Sequence, residues 1–99
     1  MSVFLMPATA EAEEYLHEIV DVMVDECGIS RAEAVARVND AWGDLSFSEW
    51  PDLIGHELPE HWAYGFCYGD VRYWDPTADR SEWVLREPPP AGAPCWTVR

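Results

Sequence analysis

Between Thr9 and Gly43 the chain is punctuated as two helices with almost nothing separating them, and this punctuation limits the available folds more than any other feature. Thr9 is an N-cap residue type placed ahead of apolar residues at helical spacing: Ala12, Leu16, Ile19, Val20, Met23 and Cys27. Gly28 stands where helix ends commonly take a left-handed residue, so a helix over about residues 10–27 is predicted, with one buried face. Ser30 and Glu33 of "SRAE" form a capping box, each able to satisfy an unpaired amide of the first turn. The second helix is expected to reach about Trp42, with Ala34, Val35, Val38, Ala41 and Trp42 on one side and Gly43 after it. With Gly28 and Ile29 alone before the second cap, the two helices are expected to close as an antiparallel hairpin.

Beyond Gly43 regularity fades. Residues 44–58 mix Ser, Asp, Gly and Pro with isolated Phe47, Trp50 and Ile54, as expected of an irregular segment pinned to a core by large side chains. From Pro59 two readings compete. Pro at a first helical position, Glu60 behind it and Gly69 at the far end suit a third helix with Trp62 and Phe66 four apart. The alternation of Trp62, Tyr64, Phe66 and Tyr68 with small residues suits a strand, with "GDVRYW" as the hairpin return. The helix is preferred because its start and stop signals agree with its length. A short helical turn or strand is expected at Ser81 to Arg86, followed by an extended run from Pro88 to Pro94 close to polyproline II, with Trp96 folding back to pack. The expected fold is one small domain over 1–99. It is mainly α: a helical hairpin, a short third helix, an irregular aromatic region and an extended Pro-rich arm at 88–99. The alternative is α+β with a C-terminal β-hairpin.

Nineteen acidic residues face six Arg and no Lys, a net charge of -13. Nucleic acid and anionic membrane surfaces, both polyanions, are excluded as expected direct partners, and a basic protein surface is favoured. The lack of Lys also fits a GC-rich bacterial genome. The N-terminal apolar run ends at Pro7 and has no basic region before it, which excludes a signal peptide or membrane span. Cys27, Cys67 and Cys95 are odd in number and far apart, the pattern of ordinary thiols in a reducing cytoplasm.

The acidic residues are not scattered. Glu11, Glu14, Glu18, Asp21 and Asp25 are spaced 3, 4, 3 and 4, which aligns them as one ridge opposite the apolar face of the first helix. Like charges at this spacing cost about 0.2–0.5 kcal/mol per pair, and Asp25 and Glu26 sit where the helix dipole favours cations. A solvated face explains the ridge as well as function does. The functional reading is a small acidic protein-binding module, of inhibitor or immunity type, that masks a basic surface of an enzyme such as a nuclease or toxin by charge mimicry. The ridge with Asp40, Asp44, Glu49 and Asp52 would supply the field, and Trp50 or Trp62 the anchors. The stretch "WAYGFCYGDVRYW" holds more aromatic area than a small core needs, so one or two Trp are expected at the surface.

"HELPEHWAY" is the one stretch that suggests metal chemistry. Helical HExxH sites need their two His four residues apart. Here His56 and His61 are five apart, roughly 140° round an ideal helix, with Pro59 between them. A second reading keeps His56, Glu57 and His61 as ligands of a small metal-binding protein or metal-dependent hydrolase, with His17 as a third nitrogen. A third reading is a structural homo-oligomer, such as a homodimer, that buries its aromatic face. No serine elbow, phosphate loop or kinase signature is present, so no catalytic or cofactor-binding residues are assigned and a non-enzyme without cofactor is expected. The patterns "EAVARVNDAW", "HELPEHWAYGFCYG" and "YW" resemble a family of small uncharacterised bacterial proteins that carry an acidic N-terminal helix, a Trp after the second helix and an HE-x-PE-x-W-A segment before Tyr-Gly. The likeness covers about residues 10–74 and implies no function.

Overall fold

Thr9 is extended and its Oγ1 accepts the Ala12 N–H at 3.2 Å, starting α1 (Ala10–Cys27). The computed structural model of the chain describes residues 2–47 and 57–98; Glu49, Trp50, Asp52, Ile54 and His56 lie outside them. Helix α1 stops at Gly28, whose φ of 70° is the left-handed conformation that a side chain would strain. Ser30 Oγ accepts the Glu33 N–H at 3.1 Å and opens α2 (Arg31–Trp42). The Glu33 carboxylate, expected to reach back to the cap, binds Arg37. Pro59 occupies the first turn of α3 (Pro59–Tyr68), which closes with the Gly69 N–H on the Gly65 carbonyl.

The chain is therefore mainly α, and the helical reading of 59–68 holds over the strand. Among the described residues the only β pairing is a parallel bridge between Ala8 and Phe47, and the expected turn near Ser81 is a 3-10 turn at Arg80–Glu82. None of the described helices is long and apolar enough to cross a membrane.

The apolar face of α1 buries Ala12, Leu16, Ile19, Val20 and Met23, and adds Tyr15. This face packs on α2 and, more broadly, on α3, so α1 is the element on which both others rest. Phe47, 1% exposed, enters the same core, held where its N–H meets the Pro7 carbonyl at 2.7 Å and its carbonyl meets the Thr9 N–H. Trp42 collects rings around it: Phe47, Trp62 and Phe66 all lie with centroids 4.7–5.7 Å from its own.

Helix α2 departs from the one-sided pattern expected of it. Ala34 through Asn39 are buried consecutively, while Ala41, assigned to the apolar side, is exposed. The reason is that α2 is covered on several sides, by α1, by both chain ends and by the segment after α3. Two buried polar residues make those joints. Arg37 pairs with Glu33 at 2.9 Å and donates to the carbonyls of Phe66 and Arg86, while the Arg86 N–H reaches Cys67 O. The Asn39 side-chain oxygen accepts the Leu5 N–H, and its nitrogen donates to Val3 O, Cys95 O and Thr97 Oγ1. After α2, Gly43 is required by space rather than by φ, because a Cβ there would stand 2.6 Å from the Asn39 carbonyl oxygen.

In the tail, the Trp96 indole N–H donates to the carbonyls of Pro89 and Pro90, which returns the Pro-rich run onto itself. Pro89 and Cys95 are buried.

Candidate functional site

All five ridge residues of α1, Glu11, Glu14, Glu18, Asp21 and Asp25, are exposed, on the side of the helix away from its buried residues. Asp21 is the one ridge carboxylate that has a basic partner among the described residues: Arg31 at 3.2 Å, which also meets His17 Nδ1 at 2.8 Å. His17 is edge-on to Phe4, and its Nε2 lies 3.8 Å from Glu13. An exposed pair of this kind is worth about 0.2–1 kcal/mol, comparable with the repulsion of one or two neighbouring carboxylate pairs, so part of the ridge's repulsion is left. We therefore predict that Glu14→Gln, Glu18→Gln, Asp21→Asn and Asp25→Asn together leave the melting temperature at low salt unchanged or raised. A substantial loss would show that the ridge is structural.

Asp40 and Asp44 are also exposed but do not extend the ridge. They line a cleft at the other end of α2, beside Leu5, Ala93, Pro94 and Cys95, and no α1 residue lines it. Glu18 of the ridge acts on Tyr15 together with Glu57 and Glu60, and the Tyr15 hydroxyl donates to the Glu57 carbonyl at 2.6 Å.

Next to Glu57 and Glu60 is an aromatic cleft of about 250 Å3, lined by His61, Trp62, Gly65, Gly69, Asp70, Val71, Tyr73 and Trp74. Trp62, expected as a free anchor, is half-buried, edge-on to Trp42 at 5.2 Å and to His61 at 4.6 Å. Among the described residues the exposed indole is Trp74, 65% accessible and perpendicular to Tyr73. Tyr73 in turn stacks on Tyr64, with centroids 5.2 Å apart and planes at 7°. Behind it, Arg80 lies with its guanidinium 5.4 Å from the Tyr64 ring centre and 5.1 Å from that of Trp83, and donates to Tyr64 Oη and Tyr73 O. Sequence reasoning marked the aromatic run but placed neither Trp74 nor Asp70. The signal was the clustering of aromatics around "GD", a turn that folds the second half of the run back on the first.

All four tyrosines are held above their ordinary 10.0, each principally by burial. At Tyr15, burial and the charges of Glu57, Glu18 and Glu60 outweigh a hydrogen bond from the Trp62 indole and push it up to about 12. The folded chain thus holds more tyrosine protons than the unfolded one above pH 10. Stability that is full below pH 10 is lost as pH rises toward 12. Ultraviolet titration is expected to find less than half the tyrosine ionised at pH 10 in the folded protein and about half in urea; coincident curves would contradict this.

The thiols are less independent than their spacing suggested. Cys67 and Cys27 share a hydrogen bond; it pushes Cys67 up, with burial adding to the rise, and lowers the less buried Cys27 against the effect of burial. Burial raises Cys95. Of the metal candidates, His56 is outside the described residues, Glu57 is exposed, and His61 Nδ1 lies 3.5 Å from Tyr73 Oη. Among the described residues no three His, Cys, Asp or Glu are grouped to hold a metal ion.

Comparison with protein-family models, with curated proteins and with solved structures finds no match to this chain.

Proposed function

We propose that this protein is an acidic protein-binding module whose α1 ridge docks on a basic surface of another protein, the inhibitor or immunity-type arrangement in which carboxylates occupy a cationic site on an enzyme such as a nuclease or toxin. The observation that carries the reading is the exposure of Glu11, Glu14, Glu18, Asp21 and Asp25 together, with one cation set against them among the described residues. Like charges at this spacing repel and Asp25 sits where the helix dipole favours cations, while Glu11 in the first turn is favoured there; helix stability does not call for the full ridge, and a basic partner would give it a use. Docking of Arg and Lys onto the ridge would relieve the repulsion, and the field of a chain at -13 would speed encounter with a cationic surface by about 10–10³-fold at low salt.

Affinity capture from the native cell, using immobilised wild type beside the four-site ridge variant, tests this. Basic proteins retained by wild type are expected to be lost from the variant. If every captured protein is retained equally by both, the ridge is a solvated face and the reading fails.

A further inference from the structure

Resting on that reading, we propose that the aromatic cleft beside α3 is the pocket for one arginine side chain of the basic partner, its guanidinium held against Trp74, Tyr73 and Trp62 with Asp70 as its counter-charge. Three observations meet here. The cleft, at about 250 Å3, is smaller than the roughly 300–1,000 Å3 of sites that enclose whole small molecules, and suits a single long side chain. Its walls are rings whose electron-rich faces attract cations, and they meet near right angles, Trp74 against Tyr73 at 90° and His61 against Trp62 at 82°.

Carboxylates lie at the cleft and beside it, and Arg80, bonded to the Tyr73 carbonyl, stands behind the wall. Asp70 lines it, and Glu57 and Glu60 both act on Tyr73 in its wall. No Arg lines the cleft; Arg72, between Val71 and Tyr73 in sequence, bears on Asp75. Glu57 and Glu60 also act on Tyr15 beside Glu18 of the ridge, and in the proposal the ridge is the broad attractor and the cleft the single deep contact.

Arginine is favoured over lysine because its planar, weakly hydrated cation stacks on rings and forks onto a carboxylate. The molecule already uses this chemistry internally. Arg80 sits about 5 Å over Tyr64 and Trp83, one ring removed from the cleft through the Tyr64–Tyr73 stack.

The test uses the purified chain with N-acetyl-arginine methylamide as probe and the citrulline analogue, equal in shape but uncharged, as control. Saturable shifts of the Trp62 and Trp74 indole N–H signals are expected with the arginine probe and not with citrulline. Trp74→Ala and Asp70→Asn, both exposed and checked by thermal melting, are each expected to weaken binding at least about threefold. No arginine-selective response, or an unchanged response in both variants, overturns the proposal. Partner capture separates the two readings. Loss with the ridge variant but not with Trp74→Ala leaves the ridge reading standing and removes the arginine pocket, whereas loss with Trp74→Ala alone supports the pocket and removes the ridge.

Discussion

Replacing Arg37 by Met is expected to destabilise the fold by about 3 kcal/mol or more, although Arg37 is charged and lies on a helix whose sequence pattern would place it in solvent. Its side chain is 5% exposed and holds three separate parts of the chain: Glu33 on its own helix, the Phe66 carbonyl near the end of α3, and the Arg86 carbonyl beyond it. Met fills the volume but leaves two carbonyls and a carboxylate without their donor, each costing about 1–3 kcal/mol according to how much water reaches it. The Glu33 side chain, 21% exposed, recovers part of that loss from water. Arg37→Lys, which keeps the charge but cannot fork to three acceptors, is expected to fall between the two. Urea unfolding measures the difference, and at about 4–8 °C per kcal/mol for a domain of this size the melting point should fall by more than 10 °C. A loss below about 1 kcal/mol would show that Arg37 is not the joint described.

The second large effect is at Asn39, 2% exposed, two residues further along the same helix. Its amide is the meeting point of the two chain ends: Leu5 and Val3 on one side, Cys95 and Thr97 on the other. Thr97 also donates its hydroxyl to the Val3 carbonyl, so loss of the amide loosens a small network rather than one bond. Asn39→Ala is expected to cost about 2–4 kcal/mol by leaving the Leu5 N–H and the Cys95 carbonyl unpaired and the Val3 carbonyl with the Thr97 hydroxyl alone. Asn39→Asp, which keeps an acceptor but brings a buried charge and no donor, should be no better. Hydrogen exchange distinguishes this from a general weakening: the Leu5 amide should lose protection before those of α1. Equal protection in Asn39→Ala would contradict the assignment.

These two residues also show where sequence reading stopped. Thr9, Gly28, Ser30, Pro59 and Gly69 act on backbone groups within about four residues of themselves, so the helix boundaries they mark were legible in the chain. The ridge was legible for the same reason, since 3 and 4 spacing is a local property of a helix. Arg37 and Asn39 are buried by segments 29 to 58 residues away, and no local pattern announces their arrival. Asn39 carried one hint, because Asn is a poor residue for a helix interior and is tolerated there when something outside the helix uses it. Ala41 was misplaced for the same reason: a one-sided helix was assumed where α2 is enclosed on several sides.

The aromatic cleft lies between these cases. "WAYGFCYGDVRYW" announced surplus aromatic area, but which rings close on one another depends on the turn after Gly69, which returns Tyr73 and Trp74 to α3. Trp62, one of the two expected anchors beside Trp50, is half-buried by packing against Trp42, while Trp74 stands outside.

The central claim is that the charge of α1 exists to meet a basic protein. Its most direct measurement is the association rate of a captured partner with wild type and with the four-site ridge variant as ionic strength is varied. At about 0.01 M salt, where fields reach roughly 30 Å, the variant should associate at least about tenfold more slowly; at about 1 M, with a screening length near 3 Å, the two rates should converge. Equal rates at every ionic strength would contradict the account.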